Sequence, residues 1–285
     1  MLPVIDLILA TVARTAEPVR FVRSLDAQTY RAFRLIVVDQ NPHSELERLL
    51  DPILRPLPYV YLRSEPGLSK ARNAGLRHVE GDIVAFPDDD CWYPADTLER
   101  VAAFFATHSE WEGLSGQSVD ESGRPSGGRW DRRAGRITPN RVWTRAGSYT
   151  IFLRRSLVEA VGPFDESLGL GANSPWPSAE DLDYVLRGVQ LGRALYYDPS
   201  LHVHHPQTRE GLSEPDAANG FHHGMGMGRV MRTNGLPAWL VAYHVARSFG
   251  GSAISLARGD RALARFYWAV GRGRLRGWRS SRTSS

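Results

Sequence analysis

Three short apolar runs restrict this chain more than anything else in it. Each is closed by a polar or acidic residue and followed by a helical pattern. Residues 4–10 are apolar apart from Asp6 and end at Thr11. Residues 35–38 end at Asp39, and residues 83–86 lead through Pro87 into Asp88-Asp89-Asp90. Apolar runs without alternation suit strands buried on both faces. A further strand is expected at 59–62, with helices at 19–25, 44–50 and 67–79. Strands alternating with helices imply βαβ units and an α/β fold with a mostly parallel central sheet flanked by helices. In such sheets ligands gather beyond the carboxyl ends of the strands. Thr11, Asp39 and Asp88 to Asp90 all fall at that edge.

Three adjacent carboxylates at a strand end repel one another and must stay solvated or find a cation. Two readings follow. One is a polar turn before the helix that starts near Pro94. The other is a site for a hard divalent cation, which takes carboxylate oxygen and is completed by a substrate diphosphate.

The second half is more mixed. A helix is expected at 94–105, strands at 113–119 and 148–153, a turn at 162–165, and extended segments at 194–197 and 201–205. The helix at 179–191 opens with Glu180-Asp181. Residues 120–145 are rich in Gly, Arg and Ser and weakly patterned, which reads as a mobile loop. The expected division is an α/β domain over 1–206 and a basic, amphipathic helical extension over 207–285.

The single cysteine, Cys91, excludes an internal disulfide framework and suits a reducing compartment. The apolar N-terminus contains Asp6 and lacks a basic leader region, so it reads as a strand and not a signal peptide. No run approaches the ~18 apolar residues of a membrane span. A cytoplasmic protein is expected. Residues 229–285 nevertheless hold eleven arginines against one carboxylate, Asp260. Such a tail suggests an anionic partner. Leu263, Phe266, Tyr267 and Val270 follow helical spacing, with Arg261, Arg265 and Arg272 on the opposite face. Two readings stay open: a helix packed on the domain with a solvated basic face, or one lying on an anionic membrane surface. Nucleic acid is not expected, because no recognised binding motif accompanies the charge.

The order of motifs resembles the family 2 glycosyltransferases. The matching parts are the Thr11 loop, the strand ending at Asp39, GLSKARNAGL (67–76), FPDDDCWYP (86–94), GPFDE (162–166) and EDLDYVLR (180–187). They cover roughly residues 4–206. The resemblance implies the GT-A (Rossmann-like) fold and inverting transfer from a nucleotide-diphosphate sugar to a glycan or lipid-linked acceptor, in cell-surface polysaccharide synthesis. It implies Mn2+ or Mg2+ held by Asp88 and Asp90, the outer acids of a DxD motif, with His205 nearby. Donor contacts would come from Thr11, Asp39, Gly67, Arg72, Asn73, Asp88 and Asp89, of which Asp89 also supports the turn. Asp181 would be the base and Glu180 its neighbour in acceptor binding. The residues agree on their own terms. A glycine before a helix suits phosphate, Arg forks onto phosphate oxygen, and a hydroxyl attack needs a proton acceptor. Asp39 could receive hydrogen bonds from a uracil-like or thymine-like base, or cap its own turn. Gln40-Asn41-Pro42 replaces the Asp-Gly-Ser usual after that residue, so the base stays open between UDP- and dTDP-sugars.

Rival readings are a sugar-phosphate nucleotidyltransferase and a nucleotide-sugar-binding protein without turnover. The first would be expected to carry an early Gly-rich loop, and residues 11–18 hold no glycine. Keeping both the DxD motif and Asp181 disfavours the second. His202, His204, His205, His222 and His223 could suggest zinc, but no clear fourth-ligand arrangement accompanies them.

Overall fold

β1 (Ile5–Thr11) is buried along its whole length, as an unbroken apolar strand between two covered faces must be. Its one acid is accounted for by β2 (Phe33–Asp39), which pairs with it in parallel and places Arg34 opposite Asp6. The fully buried Asp6 accepts from Arg34 Nε at 3.1 Å and Nη2 at 2.9 Å, and from the N–H groups of Glu80 at 2.7 Å and Gly81 at 2.8 Å. A buried carboxylate with this many donors is a staple and not a defect.

A computed structural model of the chain describes residues 2–207 and 217–280. These form two compact units. The first comprises Met1–Phe164 and Tyr184–Gln207, and the second Asp165–Asp183 and Thr208–Ser285. Residues 165–183 therefore group with the C-terminal helices and not with the domain expected over 1–206. Residues 208–216 and 281–285 of the expected extension lie outside the described residues.

The first unit is built on one eight-stranded sheet. After β1 and β2 come β3 (Tyr59–Arg63), β4 (Ile83–Ala85), β5 (Gly113–Val119), β6 (Gly135–Arg136), β7 (Ile151–Arg154) and β8 (Leu195–His204), in the spatial order 3-2-1-4-7-5-8-6. Strands 3, 2, 1 and 4 run parallel, as does the pair β5/β8, while β7 and β6 run antiparallel to their neighbours. The direction changes beside β4, the strand that delivers the three acids. Helices α1 (Ala16–Asp26), α2 (Glu45–Leu54), α3 (Leu68–Leu76), α4 (Thr97–Thr107), α5 (Val142–Arg145) and α6 (Arg155–Val161) connect the strands. Helix α7 (Glu180–Gln190) begins in the second unit and continues in the first.

Three local expectations are corrected. The two extended pieces at 194–205 are one strand, β8, running through Pro199. The strand expected from 148 starts with a 3-10 turn, Ser148–Thr150, so only Ile151–Arg154 is extended. Residues 120–145 are tied down. Trp130 stacks 6.3 Å over Tyr197, Asp131 accepts from Arg145 Nε at 2.7 Å, and the Ile137 N–H reaches Leu195 O at 2.8 Å. These anchors are two side-chain contacts and one backbone bond, which leave no periodic signature.

The second unit holds α8 (Ala217–Thr233), α9 (Ala238–Ala257) and α10 (Arg261–Arg279). Residues 165–183 pack with α8. Arg229 lies 4.2 Å over the Trp176 ring, and Asn234 donates to Asp183 at 2.7 Å. The apolar stripe of α10 is used inside this bundle: Phe266 meets Gly220, Tyr267 meets Gly251, and Val270 is buried against Gly224.

Candidate functional site

The residues after β4 divide their work by direction. Asp89 turns towards β1, accepting from the Thr11 hydroxyl at 2.7 Å and from Arg14 Nη1 at 2.6 Å. The same Arg14 nitrogen reaches Asp90 at 2.7 Å. Asp88 points the other way, to Arg72 Nη2 at 3.1 Å and the Ser148 hydroxyl at 3.0 Å. Asp90 meets His205 Nε2 at 3.2 Å, and Arg20 donates to its backbone carbonyl at 2.9 Å. The three acids expected at the strand end thus separate into Asp88 and Asp90, which group with His205, and Asp89, which braces the loop.

Asp88, Asp90 and His205 each offer one ligand atom, all within 4.8 Å of one another. The donor set of two carboxylate oxygens and one imidazole suits a hard or borderline divalent cation such as Mn2+ or Mg2+. His205 is oriented for this. Its Nδ1 lies 2.8 Å from Pro206 O, so Nδ1–H donates there and Nε2 faces Asp90. Tyr149 stacks on the ring at 4.7 Å. Electrostatics sharpen the contrast between the acids. Burial pushes the Asp88 carboxyl up to about 6, although the Arg72 charge pulls it down. Burial acts upward on Asp90 too, but the hydrogen bond and charge of His205, with Arg14, outweigh it and hold that carboxyl at about 2. On His205, burial acts downward and Asp90 overrides it, so the imidazole stays protonated more readily than usual.

Arg72 and Asn73 follow from the glycine-opened helix. Gly67, at φ +138°, occupies backbone space that L side chains rarely adopt. Its N–H donates to Gln40 Oε1 at 2.8 Å, and Gln40 Nε2 reaches Thr11 O at 3.3 Å. Gln40, the residue that departs from the family pattern, therefore joins the β1, β2 and α3 loops. One turn on, Arg72 is 1 % exposed and lies 5.5 Å over the Phe164 ring. Asn73 exchanges two hydrogen bonds with the Phe164 backbone, at 3.0 and 2.8 Å. It clamps the GPFDE turn.

Asp39 is fully buried and accepts from four donors: Tyr61 Oη at 2.8 Å, Arg63 Nη1 at 2.9 Å, the Asn41 N–H at 2.9 Å and Asn41 Nδ2 at 2.7 Å. Glu180 and Asp181 belong to the second unit and open α7. Glu180 is buried, and Asp181 Oδ1 accepts from the Leu182 N–H at 2.8 Å. Ala179, just before them, has φ +68°, and Ala13, in the Thr11 loop, has φ +57°. They are the two non-glycine residues of positive φ among the described residues. The other histidines separate: His204 stacks on Trp92 at 5.1 Å, and His202 is exposed.

Sequence reasoning did not find Arg14, Arg20, Gln40, Ser148 or Tyr149. Arg14 and Arg20 are two among many arginines, and nothing in their spacing marks them. Ser148 and Tyr149 sit in the turn that was expected to be strand.

The profile described as Glycosyl transferase family 2 matches residues 12–159, just over half of the chain. The chain belongs to that family. Among curated proteins it is 26% identical over 194 residues to glycosyltransferase AglE of Haloferax volcanii, covering 65% of this chain and 64% of that protein, just under two thirds. It is 26% identical over 247 residues to the succinoglycan biosynthesis protein ExoM of Rhizobium meliloti, covering 82% and 77%. Among solved structures, the mannosyltransferase of Pyrobaculum calidifontis in complex with GDP-Man and Mn2+ superposes with a TM-score of 0.69 at 15% identity, covering 98% and 88% of the two chains. S. aureus TarS 1–349 gives 0.60 at 18%, covering 98% and 93%. At these identities the likeness establishes the fold, which is GT-A.

Proposed function

We propose that this chain is an inverting, metal-dependent glycosyltransferase. It would take a UDP- or dTDP-sugar and pass the sugar to a hydroxyl of a glycan or lipid-linked acceptor, in cell-surface polysaccharide synthesis at the inner face of the membrane. The observation that carries the reading is the grouping of Asp88, Asp90 and His205 beyond β4. A divalent cation there supplies positive charge to the diphosphate as it leaves. The chain's own groups do the rest. Arg72 keeps Asp88 ionised and presents a buried fork beside it. Arg14 and Thr11 hold Asp89 and fix the turn. The saturated Asp39 would admit a base by exchanging its contact with Arg63, whose side chain is 43% exposed. Asp181 takes the proton of the acceptor hydroxyl while that oxygen attacks the anomeric carbon opposite the diphosphate, with Glu180 holding the acceptor. Positive φ at Ala13, in the loop that carries Thr11, supports the reading, since backbone of this kind gathers at functional loops.

Calorimetric titration tests it. UDP- or dTDP-sugars should bind in a Mn2+- or Mg2+-dependent manner, and Asp90→Ala should lose the metal response and weaken donor binding. Unchanged donor affinity and metal response in that variant refutes the assignment.

A further inference from the structure

Helix α9 is built inside out. Its buried residues include His244, Ser248, Ser252 and Ser255 beside Leu240, Val241 and Val245. Its exposed residues include Trp239, Tyr243 and Ile254, in line at helical spacing with Ala246, Gly250 and Ala257. Hydrogen bonds hold this orientation. Arg274 of α10 donates to His244 O and to the Ser248 hydroxyl, both at 2.7 Å, and the Ser252 hydroxyl donates to Ala264 O at 2.9 Å. The polar face is taken up by α10, and the apolar face is left outward.

Helix α10 carries the complementary feature. Arg261, Arg265, Trp268, Arg272, Arg276 and Arg279 are spaced by three or four residues, so they form one stripe. All six are exposed. From residue 217 to 280 there are ten arginines and one carboxylate, Asp260, which caps α10 by accepting from the Leu263 N–H at 2.9 Å. The two features meet. Trp268 packs 4.8 Å from Phe249 of α9. A groove of about 900 Å³ is lined by Phe221, Leu256 and Trp268 together with Arg261, Arg265 and Arg272. Trp239, Tyr243, Ile254, Leu256 and Trp268 are between 52% and 61% exposed.

We propose that α9 and α10 form a docking surface for an anionic phospholipid bilayer. An apolar groove rimmed by guanidinium groups matches acyl chains beneath anionic headgroups, and Trp with Arg is the composition that settles at that boundary. No helix among the described residues is long and apolar enough to cross a membrane, so the contact is peripheral. The surface differs from the one the periodicity of α10 suggests, because Phe266, Tyr267 and Val270 are used inside the bundle. The proposal does not depend on the transfer reaction, and its test reads binding and not turnover.

The test is flotation of the full chain with vesicles of phosphatidylcholine alone or mixed with phosphatidylglycerol, at low and high salt. Binding should require phosphatidylglycerol and weaken with salt. Arg261→Gln/Arg265→Gln/Arg272→Gln should lower the partition coefficient about a hundredfold, near fivefold per charge. Trp239→Ser/Tyr243→Ser/Ile254→Ser, all exposed and so compatible with folding, should remove the portion that survives high salt. Melting curves confirm that both variants fold. Absence of binding to phosphatidylglycerol vesicles at low salt overturns the proposal. So does unchanged binding in both folded variants, or binding to a DNA duplex or self-association in place of vesicle binding.

Discussion

Arg72→Met isolates the link between the α3 helix and the candidate metal group. At 3.1 Å from Asp88, the guanidinium contributes an attraction of roughly 5 kcal/mol at an effective dielectric of about 20. Two effects reduce the net loss. Burying Arg72 at 1 % exposure already costs desolvation, and Asp88 keeps 30% side-chain exposure with the Ser148 hydroxyl still donating. The stranded carboxyl can also take a proton, since burial already places it near 6. We therefore expect about 2 kcal/mol, below the ~3–5 kcal/mol of a fully enclosed broken pair. For a chain of this size that is a fall in Tm of about 3–4 °C. A protonated Asp88 is also a lost ligand, so Mn2+ affinity should drop about ten- to a hundredfold. Arg72→Lys should recover much of the stability but less of the donor affinity, because an ammonium lacks the fork. Differential scanning calorimetry with and without Mn2+, followed by titrations with Mn2+ and with donor, measures all three. An Arg72→Met protein with unchanged Tm and unchanged Mn2+ affinity would refute the coupling.

Two other substitutions address the second unit. Asp181→Asn keeps shape but removes proton acceptance, so turnover should fall by about 10² or more with donor affinity nearly unchanged; near-normal turnover in a steady-state assay moves the role away from Asp181. A Cβ on Gly228 would stand 2.2 Å from Arg274 O, a backbone atom that cannot step aside. Gly228→Ala should therefore cost about 3 kcal/mol in overpacking against about 1 kcal/mol gained in helix propensity, a net loss of about 2 kcal/mol that thermal melting detects.

The sheet was legible wherever burial on both faces forced unbroken apolar runs, as in β1, β2 and β4. The split roles of Asp88, Asp89 and Asp90 were legible only in outline, because direction at a strand end depends on which loops reach it. Arg14 and Ser148 reach it from far along the chain, and neither carries a local pattern. Periodicity located both faces of α10 but could not say which face turns inward, and it offered no reading of α9. In α9 that choice rests on Arg274, thirty residues from His244, the residue whose carbonyl it bonds. Likewise, residues 165–183 join the second unit through pairs such as Trp176 with Arg229, which no local composition announces.

The glycines of α8 and α10 explain how a helix poor in helix formers is kept and how the arginine stripe is aimed. Gly224, Gly228, Gly273 and Gly277 sit where an added Cβ would come 2.1–2.4 Å from a backbone oxygen of the facing helix. Each glycine costs about 1 kcal/mol of helix propensity. The close approach offsets this through dense packing contacts along the whole seam. A seam of that kind permits little rotation, since turning α10 would drive a side chain into the backbone of α8. At 100° per residue, Gly273 and Gly277 lie roughly 80–160° round the helix from Arg261, Arg265 and Arg272. Fixing the seam therefore fixes the arginines outward. Arg274, between the two directions, is left to meet α9, where burial lowers its pKa to about 10 without neutralising it at physiological pH. The same rigid contact that compensates poor propensity thus sets the surface charge of the second unit.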